Sequence, residues 1–316
     1  MTTARNGERQ PHLPVLYQTI IHALQPASPG KYVDATVGAG GHAWGILQAS
    51  SPDGKLLGLD LDPQALALAG ERLAEYGPRV VLVRASYTTL TDQLDKLGWK
   101  SVNGILIDLG VSSMQLDTAE RGFSFLREGP LDMRFDPGQS RSAADLVNTL
   151  PESDLADIIF RYGEETASRR IARAIIASRP INTTSELAEV ISGAVGGIRG
   201  KVHPATRTFQ ALRMAVNEEL QTLEVFLPQA VASLAPGGRL AVIAFHSLED
   251  RLVKQYFKKE SSDCICPPEQ LVCTCNHHAH IKLVSRHAIM ADNEEVKRNS
   301  RSRSAKLRIV EKLELA

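Results

Sequence analysis

Hydrophobic and polar positions alternate along the first hundred residues in a way that predicts both strands and helices. Short apolar runs typical of buried strands lie at residues 31–34, 55–59, 79–83 and 102–107. Segments with apolar side chains at helical spacing lie between these runs, at residues 43–48, 63–75 and 88–97. Strands that alternate with helices of about 10–15 residues are typical of a doubly wound, mostly parallel α/β sheet.

This alternation stops after the fourth predicted strand and returns only near residue 239. The intervening residues, 109–215, contain a loop rich in Gly, Pro and Ser, followed by amphipathic helical patterns. The last of these patterns predicts one long helix after His203-Pro204, running through Leu223. We interpret 109–215 as an inserted all-helical domain, with 1–108 and 216–316 forming one discontinuous α/β domain. Two sequential domains are the alternative, but they leave the buried strand at 239–245 unexplained.

Composition and charge narrow the class of protein without identifying a partner. The chain has 316 residues, of which 43% are hydrophobic, so wholesale disorder is excluded. Lys+Arg and Asp+Glu are both 36, so the net charge does not indicate an acidic partner. No apolar run approaches the roughly 18 residues of a membrane span, and residues 1–10 lack the apolar core of a signal peptide. A soluble, cytoplasmic protein without membrane contact is therefore expected.

The loop after the first predicted strand is rich in glycine and typical of a nucleotide site. It reads Asp34-Ala-Thr-Val-Gly38-Ala-Gly40-Gly41-His42, and glycines there allow a ligand to approach the backbone closely. Asp60 ends the second predicted strand, 19 residues after Gly41, where a carboxylate can accept hydrogen bonds from both ribose hydroxyls. The pattern predicts an adenosine-type cofactor. The alternative is a simple tight turn, with Asp60 capping the next helix.

Two cofactor classes fit this loop. The spacing Gly38-x-Gly40-x-x-Ala43 agrees with a dinucleotide fingerprint. S-adenosylmethionine is favoured by Asp34, which could bond a methionine amino group, and by the strand ending Asp60-Leu-Asp62-Pro63. Asp108, at the end of the fourth predicted strand, adds an acid at the edge where ligands of such sheets bind.

Longer motifs resemble the bacterial small-subunit rRNA (cytosine-N4) methyltransferase family. They are Asp108-Leu-Gly-Val-Ser-Ser113-Met-Gln115-Leu-Asp117, Glu120-Arg-Gly-Phe-Ser-Phe125, Gly129-Pro-Leu-Asp-Met-Arg134, His203-Pro-Ala-Thr-Arg-Thr-Phe-Gln210 and Phe245-His-Ser-Leu-Glu-Asp-Arg251. The resemblance runs over nearly the whole chain. It implies a Rossmann-like methyltransferase sheet with an inserted helical domain, and methylation of N4 of a decoding-region cytidine in 16S rRNA. Its partner would be 16S rRNA or the small ribosomal subunit.

The resemblance also implies a set of cofactor-binding residues for S-adenosylmethionine. Carried over by position, they are Gly40, Gly41, His42, Asp60, Tyr87, Asp108 and Gln115. Tyr87 stands where the family often has Phe, and either ring can stack on adenine.

The exocyclic amine of cytosine is a poor nucleophile because its lone pair is conjugated with the ring. A hydrogen-bond acceptor must draw that lone pair out of conjugation and aim it at the methyl group. Asp108 is the candidate, although it could equally hold the methionine amino group. We favour a mainly cofactor-binding role, with amine orientation shared by backbone carbonyls after Asp108. Methylation on C5 is disfavoured because it needs a cysteine nucleophile, and no Cys lies near Asp108.

Other side chains are candidates for base stacking and proton transfer. The segment after Asp108 lacks the prolines and aromatic residue common in amino-methyltransferases. Phe123 and Phe125, aromatic residues in a polar loop, could therefore stack on the target base or simply anchor the loop in a core. His246, after the strand at 239–245, could relay the released proton or could bond only to backbone.

Basic residues are concentrated in the predicted insertion. Between Arg161 and Arg213 there are nine Lys/Arg, eight of them Arg, against four Glu. Arginine suits bidentate phosphate contacts, so RNA binding is predicted there. The residues singled out are Arg169 and Arg173 on one predicted helix, and Arg199 and Lys201 in a basic turn. A solvated helical face is the ordinary alternative.

All four cysteines lie within twelve residues of one another. Cys264-x-Cys266 and Cys273-x-Cys275 could supply four soft ligands to one tetrahedral zinc ion, although C-x-C is tighter than the usual spacing. Because the cluster lies outside the nucleotide loop in sequence, any metal there is predicted to be structural. Four reduced thiols in a surface loop, or a labile disulfide, are the alternatives.

Two rival functions remain open at this point. One is an NAD-dependent oxidoreductase, and the other is a non-catalytic RNA-binding protein with a zinc module. Titration with S-adenosylmethionine and with a nicotinamide cofactor would separate them from a methyltransferase.

Overall fold

The computed structural model describes residues 14–197, 203–270 and 272–314. The chain divides into two compact units. Unit 1 contains the chain up to Leu109 and again from Pro228, and unit 2 contains Gly110–Leu227. The insertion predicted at 109–215 thus starts one residue before unit 2 starts, and it ends twelve residues before unit 2 ends.

Unit 1 is built on one mixed sheet, which confirms the predicted α/β class. Its strand order is β3-β2-β1-β4-β5-β8-β6, with β7 paired to β8. Strands β1 to β5 are parallel, and β8 runs antiparallel to β5, β6 and β7. The strands are β1 (Lys31–Asp34), β2 (Lys55–Asp60), β3 (Val80–Arg84), β4 (Val102–Asp108), β5 (Leu234–Ala244), β6 (Ile281–Leu283), β7 (Ile289–Met290) and β8 (Lys306–Lys312).

Helices of unit 1 flank this sheet, and all but the last of them bury apolar side chains. They are α1 (Tyr17–Leu24), α2 (Gly41–Ala49), α3 (Pro63–Leu73), α4 (Leu90–Lys96), α12 (Ser247–Glu260) and α13 (Asn293–Arg298). Helix α3 begins with Pro63 at its first position, a favoured place for proline, and the side chain of Asp62 caps it. The core joins side chains of α1 and α2, such as Ile20 and Ile46, to Leu106 and Ile243 of the central strands.

Unit 2 is helical, and among its described residues the backbone pairs in β fashion only at the isolated bridge between Pro130 and Thr183. Its own core contains Leu155 and Ile159 of one helix together with Ile171 and Phe209 of others. The helices are α5 (Ser113–Asp117), α6 (Ala143–Thr149), α7 (Glu152–Gly163), α8 (Ser168–Ala177), α9 (Thr184–Val195) and α10 (Ala205–Val216). Helix α11 (Glu219–Ser233) continues from unit 2 into unit 1.

The prediction of a single long helix after His203-Pro204 is wrong, because the helix is interrupted at residues 217–218. Helix α10 ends at Val216, and Glu218 has a left-handed backbone with φ of 50°. The Asn217 side chain accepts from the N–H of Phe135 and donates to the carbonyl of Met133, both at 2.7 Å. These tertiary hydrogen bonds hold the break, which helical periodicity alone does not reveal.

None of the helices in the described ranges is both long enough and apolar enough to cross a membrane.

Candidate active site

The glycine-rich loop after β1 is bonded to the strands on both of its sides. The N–H of Ala35 donates to the carbonyl of Leu106 in β4, and the N–H of Val37 donates to that of Leu59 in β2, each at 2.8 Å. Gly40 has φ of 77°, and a Cβ there would lie 3.3 Å from Ala69 and Leu73 of α3. Glycine at 40 therefore permits both a left-handed turn and close helix packing.

Asp60 connects this loop to the end of β2. Its Oδ2 accepts from the N–H of Gly38 and its Oδ1 from the N–H of Asp62, both at 2.9 Å. Burial raises the pKa of the Asp60 carboxyl, and these N–H donors oppose the shift. The alternative that Asp60 caps the next helix is wrong, because Asp62 does so by accepting from the N–H of Gln64.

Two further carboxyl groups lie at the ends of β1 and β4. Asp34 is 1% exposed, and its carboxylate accepts from the backbone N–H groups of Thr36 and Ala43. Burial, followed by the negative charge of Asp60, raises the pKa of Asp34 to about 7. The backbone N–H of Asp108 donates to the hydroxyl of Thr36 at 2.7 Å, so Thr36 fixes the end of β4 to the loop. No local pattern predicts this role of Thr36, because it depends on a contact between residues 72 positions apart.

Asp108 and His42 carry buried polar atoms without hydrogen-bond partners in the described chain. These atoms are Oδ1 of Asp108 and both ring nitrogens of His42. Nε2 of His42 lies 3.8 Å from Oδ2 of Asp108. Burial and then the positive charge of Arg72 lower the pKa of His42 to about 3, so the imidazole is neutral at physiological pH. Burial, then the charges of Asp34 and Glu249, raise the pKa of Asp108 well above its usual range.

The carboxyl edge of the sheet is therefore acidic and uncompensated. Asp34, Asp60 and Asp108 end three adjacent parallel strands, and no Lys or Arg in the described ranges forms an ion pair with any of them. Buried carboxylates without a counter-charge are costly. A cationic ligand would offset that cost, whereas the pyrophosphate of a dinucleotide would be repelled.

Tyr87 follows this edge on the β3 side. It opens a short 3-10 helix, Tyr87–Thr89, three residues after the last residue of β3, and its side chain is half-buried. The N–H of Ala85 donates to the backbone carbonyl of Asp60 at 3.0 Å, which keeps this segment beside the end of β2. Stacking of the Tyr87 ring on adenine stays a prediction.

Comparisons with known proteins agree with this geometry. The model of the MraW methylase family matches residues 9–313. The chain belongs to the MraW methylase family. A relative from Dehalococcoides mccartyi, named Ribosomal RNA small subunit methyltransferase H, is 55% identical over 96% of this chain and 87% of its own. A relative of the same name from Syntrophobacter fumaroxidans is 50% identical over 97% and 98%.

Solved structures give a more distant likeness. An rRNA methylase from Streptococcus thermophilus superposes with a TM-score of 0.43 at 12% identity, covering 94% of each chain. That similarity is too low to support any conclusion about this chain.

S-adenosylmethionine fits the acidic edge of this methylase as the methyl donor. Its sulfonium and ammonium groups are cations, and three uncompensated carboxyl groups are present to receive them. The unpartnered Oδ1 of Asp108 and ring nitrogens of His42 are available for hydrogen bonds to a polar ligand. The family and the electrostatics therefore lead to the same cofactor.

His246 lies at the start of α12, where its side chain is occupied. It caps the helix, and its Nδ1 accepts from the N–H of Glu249 at 3.4 Å. Glu249, which is 1% exposed, accepts in return from the N–H groups of Phe245 and His246. Nε2 of His246 is 3.0 Å from Glu249 Oε1. The structure thus shows the backbone-bonded arrangement, and the proton relay stays a prediction.

Three predicted site residues belong to unit 2 and make contacts within it. Gln115 is buried and forms a capping box with Ser112 at the start of α5. Phe123 stacks on Phe135 with ring centroids 5.6 Å apart and is 8% exposed. Phe125 packs against both His203 and Phe209, with centroids 4.6 and 4.9 Å away. Both phenylalanines therefore anchor the unit 2 core, and base stacking by either stays a prediction.

Arg169 and Arg173 lie on α8 with exposed side chains, and Arg169 lines a surface groove within unit 2. The groove has a volume of about 780 Å³ and is lined by Asp157, Phe160, Arg169 and Arg170, among others. Phe160 is 57% exposed, and the sequence prediction missed it. The available signal was its place on α7 outside the apolar stripe of Leu155 and Ile159. Arg199 and Lys201 lie outside the described residues.

The four cysteines come together after α12. Their Sγ atoms all lie within 4.8 Å of one another, and all four thiols are free. They belong to a segment without regular secondary structure that precedes β6.

Proposed function

We propose that this methyltransferase transfers a methyl group from S-adenosylmethionine to the exocyclic N4 amine of a cytidine in the decoding region of 16S rRNA. The names of its relatives support rRNA of the small subunit as the substrate. The motifs shared with the cytosine-N4 family support the amine as the acceptor. The observation that carries the cofactor assignment is the uncompensated set of carboxyl groups at the ends of β1, β2 and β4. We place the reaction in the cytoplasm.

Each candidate residue has a distinct part in holding the cofactor. Asp60 retains acceptor capacity for ribose, because a carboxylate has about four acceptor sites and the backbone N–H groups of Gly38, Leu61 and Asp62 use three of them. Tyr87 would stack on adenine. Gly40 is the N-cap of α2 and Gly41 is its first residue. The first-turn N–H groups lack partners within the helix and would attract the carboxylate of the cofactor, except that of Ala43, which already donates to Asp34. Asp108 would accept from the ammonium group, with neutral His42 beside it.

When bound, S-adenosylmethionine supplies a methyl group on a cationic sulfur. The chain then has to hold the amine in line with that methyl group and draw its lone pair out of conjugation. Oδ1 of Asp108 is an unpartnered acceptor at the correct edge of the sheet. We assign Asp108 mainly to the cofactor, and assign part of the amine orientation to the backbone carbonyls that follow it.

The position of His246 affects how the released proton leaves. Its Nδ1 accepts a backbone hydrogen bond, so in the neutral ring the proton is on Nε2. A ring in that state has no free lone pair with which to accept a further proton. It must therefore leave the cap of α12 before it can act as a base, and the capped arrangement favours a positioning role. We retain proton relay by His246 only if its ring leaves the cap of α12.

Unit 2 is proposed as the substrate-recognition domain. The groove between α7 and α8 is lined by the exposed ring of Phe160 and by Arg169 and Arg170. Aromatic stacking platforms with neighbouring cations are typical of single-stranded nucleic-acid binding. Arg173 on the same helix is exposed, and its Nε lies 3.5 Å from Glu152 Oε1. The two arginines and the exposed aromatic ring support RNA as the substrate.

One assay tests the proposed function and its rivals. The full chain is incubated with labelled S-adenosylmethionine and with 16S rRNA, either free or in partly and fully assembled small subunits. Nucleosides are then analysed by mass spectrometry against N4-methylcytidine and 5-methylcytidine standards. We expect N4-methylcytidine at one decoding-region position. Calorimetry that detects binding of a nicotinamide cofactor, but not of S-adenosylmethionine, would overturn the proposal in favour of an oxidoreductase.

A further inference from the structure

The segment that joins α12 to β6, residues 261–280, has no hydrophobic core among its described residues. It contains no helix or strand among its described residues, and none of their side chains is buried. Ile265 and Val272 are 42% and 72% exposed. Apolar burial is the usual source of order in a protein segment, and here it is missing. Holding such a segment in one conformation would require another kind of cross-link to offset the chain entropy.

The geometry of the four thiols supplies such a cross-link. The Sγ of Cys264 is 3.5 Å from that of Cys273 and 3.8 Å from that of Cys275, and Cys273 and Cys275 are 3.5 Å apart. Four sulfurs around a tetrahedral zinc ion with Zn–S bonds of about 2.3 Å are separated by about 3.8 Å. A disulfide would bring two sulfurs to about 2.05 Å, and all four cysteines are free.

Backbone N–H groups point at the sulfurs in a reciprocal pattern. Ile265, between the first two cysteines, donates to Sγ of Cys275 at 3.4 Å. Thr274, between the last two, donates to Sγ of Cys266 at 3.5 Å. Each C-x-C turn thus supplies one donor to the other turn. Hydrogen bonds of this kind orient thiolate ligands and offset the negative charge of a tetrathiolate site.

The neighbouring histidine His277 is occupied elsewhere, which leaves the thiols as the ligand set. Nδ1 of His277 is 2.8 Å from the carbonyl oxygen of Ser262, to which it donates. Its Nε2 is 3.8 Å from Oε2 of Glu260. The N–H of His280 donates to the backbone carbonyl of Glu260 at 2.9 Å. These contacts fix the base of the segment to the end of α12 and bring its two halves together.

We propose that Cys264, Cys266, Cys273 and Cys275 together bind one structural zinc ion that holds residues 261–280 in place. Soft thiolate ligands in a tetrahedral arrangement select zinc over magnesium or calcium. Binding breaks each S–H bond, releases the proton to solvent and forms a Zn–S bond, with no change of oxidation state. Four protein ligands leave no open coordination position, so the ion is not catalytic.

Metal content is the first test, and it does not depend on methyl transfer. The untagged full chain is purified without chelator and analysed by inductively coupled plasma mass spectrometry. We expect about one zinc per chain and an intact mass that corresponds to four free thiols. Zinc below a tenth of the protein content would overturn the proposal. Iron in place of zinc would overturn the metal assignment, and a mass lower by two hydrogens per disulfide would show a redox pair instead.

Variants identify the ligands. The double substitution Cys264→Ser and Cys275→Ser should reduce the bound zinc to background, whereas the matched control His278→Ala should retain it. His278 is exposed in the same segment and could bind a metal, so zinc loss in this control would overturn the four-thiolate set.

Cobalt keeps the test decisive if the cysteine variant does not fold. After chelation and addition of Co²⁺, the parent chain should show sulfur-to-cobalt charge-transfer bands and the visible bands of tetrahedral cobalt. Weak, octahedral-type bands would exclude the site. Binding of S-adenosylmethionine, measured in parallel, reports on unit 1, so loss of zinc with retained cofactor binding separates this proposal from the proposed function.

Discussion

Asp60 accepts a 2.9 Å hydrogen bond from the backbone N–H of Gly38, which joins the end of β2 to the loop that follows β1. Its other carboxylate oxygen accepts from the N–H of Asp62 at the same distance. The carboxylate expected to bind ribose therefore also fixes the shape of the glycine-rich loop. Substitution of Asp60 removes a ligand contact and leaves a loop donor without its partner.

The first prediction follows from this double role. Asp60→Ala should weaken S-adenosylmethionine binding by about 1–3 kcal/mol, because the ribose hydroxyls and the Gly38 N–H all lose an acceptor. Isothermal titration calorimetry measures the change. Asp53→Ala is the matched control, since Asp53 is an exposed aspartate of the same unit. Equal affinity for the Asp60 variant and the control would remove Asp60 from the site.

The second prediction concerns the stability of the ligand-free protein as a function of pH. The pKa of Asp34 is raised to about 7 when folded, so the folded state holds this proton more tightly than the unfolded state. The stability contributed by Asp34 is therefore lost as the pH rises from its ordinary pKa to about 7. At 1.36 kcal/mol per pKa unit, the loss has an upper limit of about 4 kcal/mol.

Asp34→Asn should remove that loss. The variant should be more stable than the parent at pH 8, with a smaller difference at pH 5, in thermal unfolding without ligand. Asp53→Asn, an exposed control, should track the parent at both pH values. Saturating S-adenosylmethionine should reduce the stability difference between the variant and the parent at pH 8, because a bound cation stabilises the ionised Asp34 of the parent. A stability difference between the variant and the parent that is the same at pH 5 and pH 8 would contradict the raised pKa of Asp34.

The third prediction separates the two roles of Asp108. Asp108→Asn keeps the size of the side chain and removes its charge. Cofactor affinity should fall by about 1.5–3 kcal/mol, the range of a hydrogen bond to a charged group. With saturating cofactor, single-turnover methylation of rRNA should fall by less than about 10²-fold. A larger fall in rate with unchanged affinity would assign Asp108 to the amine, and no change in either would exclude it from both roles.

The fourth prediction concerns the groove between α7 and α8. Arg169→Gln with Arg170→Gln should weaken rRNA binding and reduce the slope of log affinity against log salt by about 1 for each lost phosphate contact. Phe160→Ala should weaken rRNA binding by about 1–3 kcal/mol. It should change the salt slope much less, since stacking is not a contact between charges. Filter binding over a series of salt concentrations measures both quantities. Lys100→Gln, an exposed cation of unit 1, is the control. Variants that all bind like this control would rule the groove out as an RNA contact.

Some features of this protein were readable from local pattern because they depend on neighbours in sequence. Alternation of apolar runs and amphipathic helices predicted the sheet, and the turn after β1 predicted the nucleotide loop. Asp60 and Asp108 were located because the residue after a buried strand of a parallel sheet emerges at its carboxyl edge.

Other features were fixed by contacts between residues far apart in the chain, which periodicity does not encode. Phe123 and Phe125 stand in a polar stretch of sequence, yet the helices of unit 2 provide a core that buries one and packs against the other. The break at Asn217 depends on its hydrogen bonds to Met133 and Phe135.

The sequence by itself determined the α/β class, the acidic strand ends and the family motifs, since strand and helix periods and turn residues are local properties. Only the tertiary structure decided that Asp60 bonds the Gly38 N–H, that His42 is buried next to Asp108, and that the four thiols lie within 4.8 Å of one another. These outcomes depend on where the chain places distant side chains. Burial and charge proximity, which set the pKa of Asp34 and His42, follow from that placement.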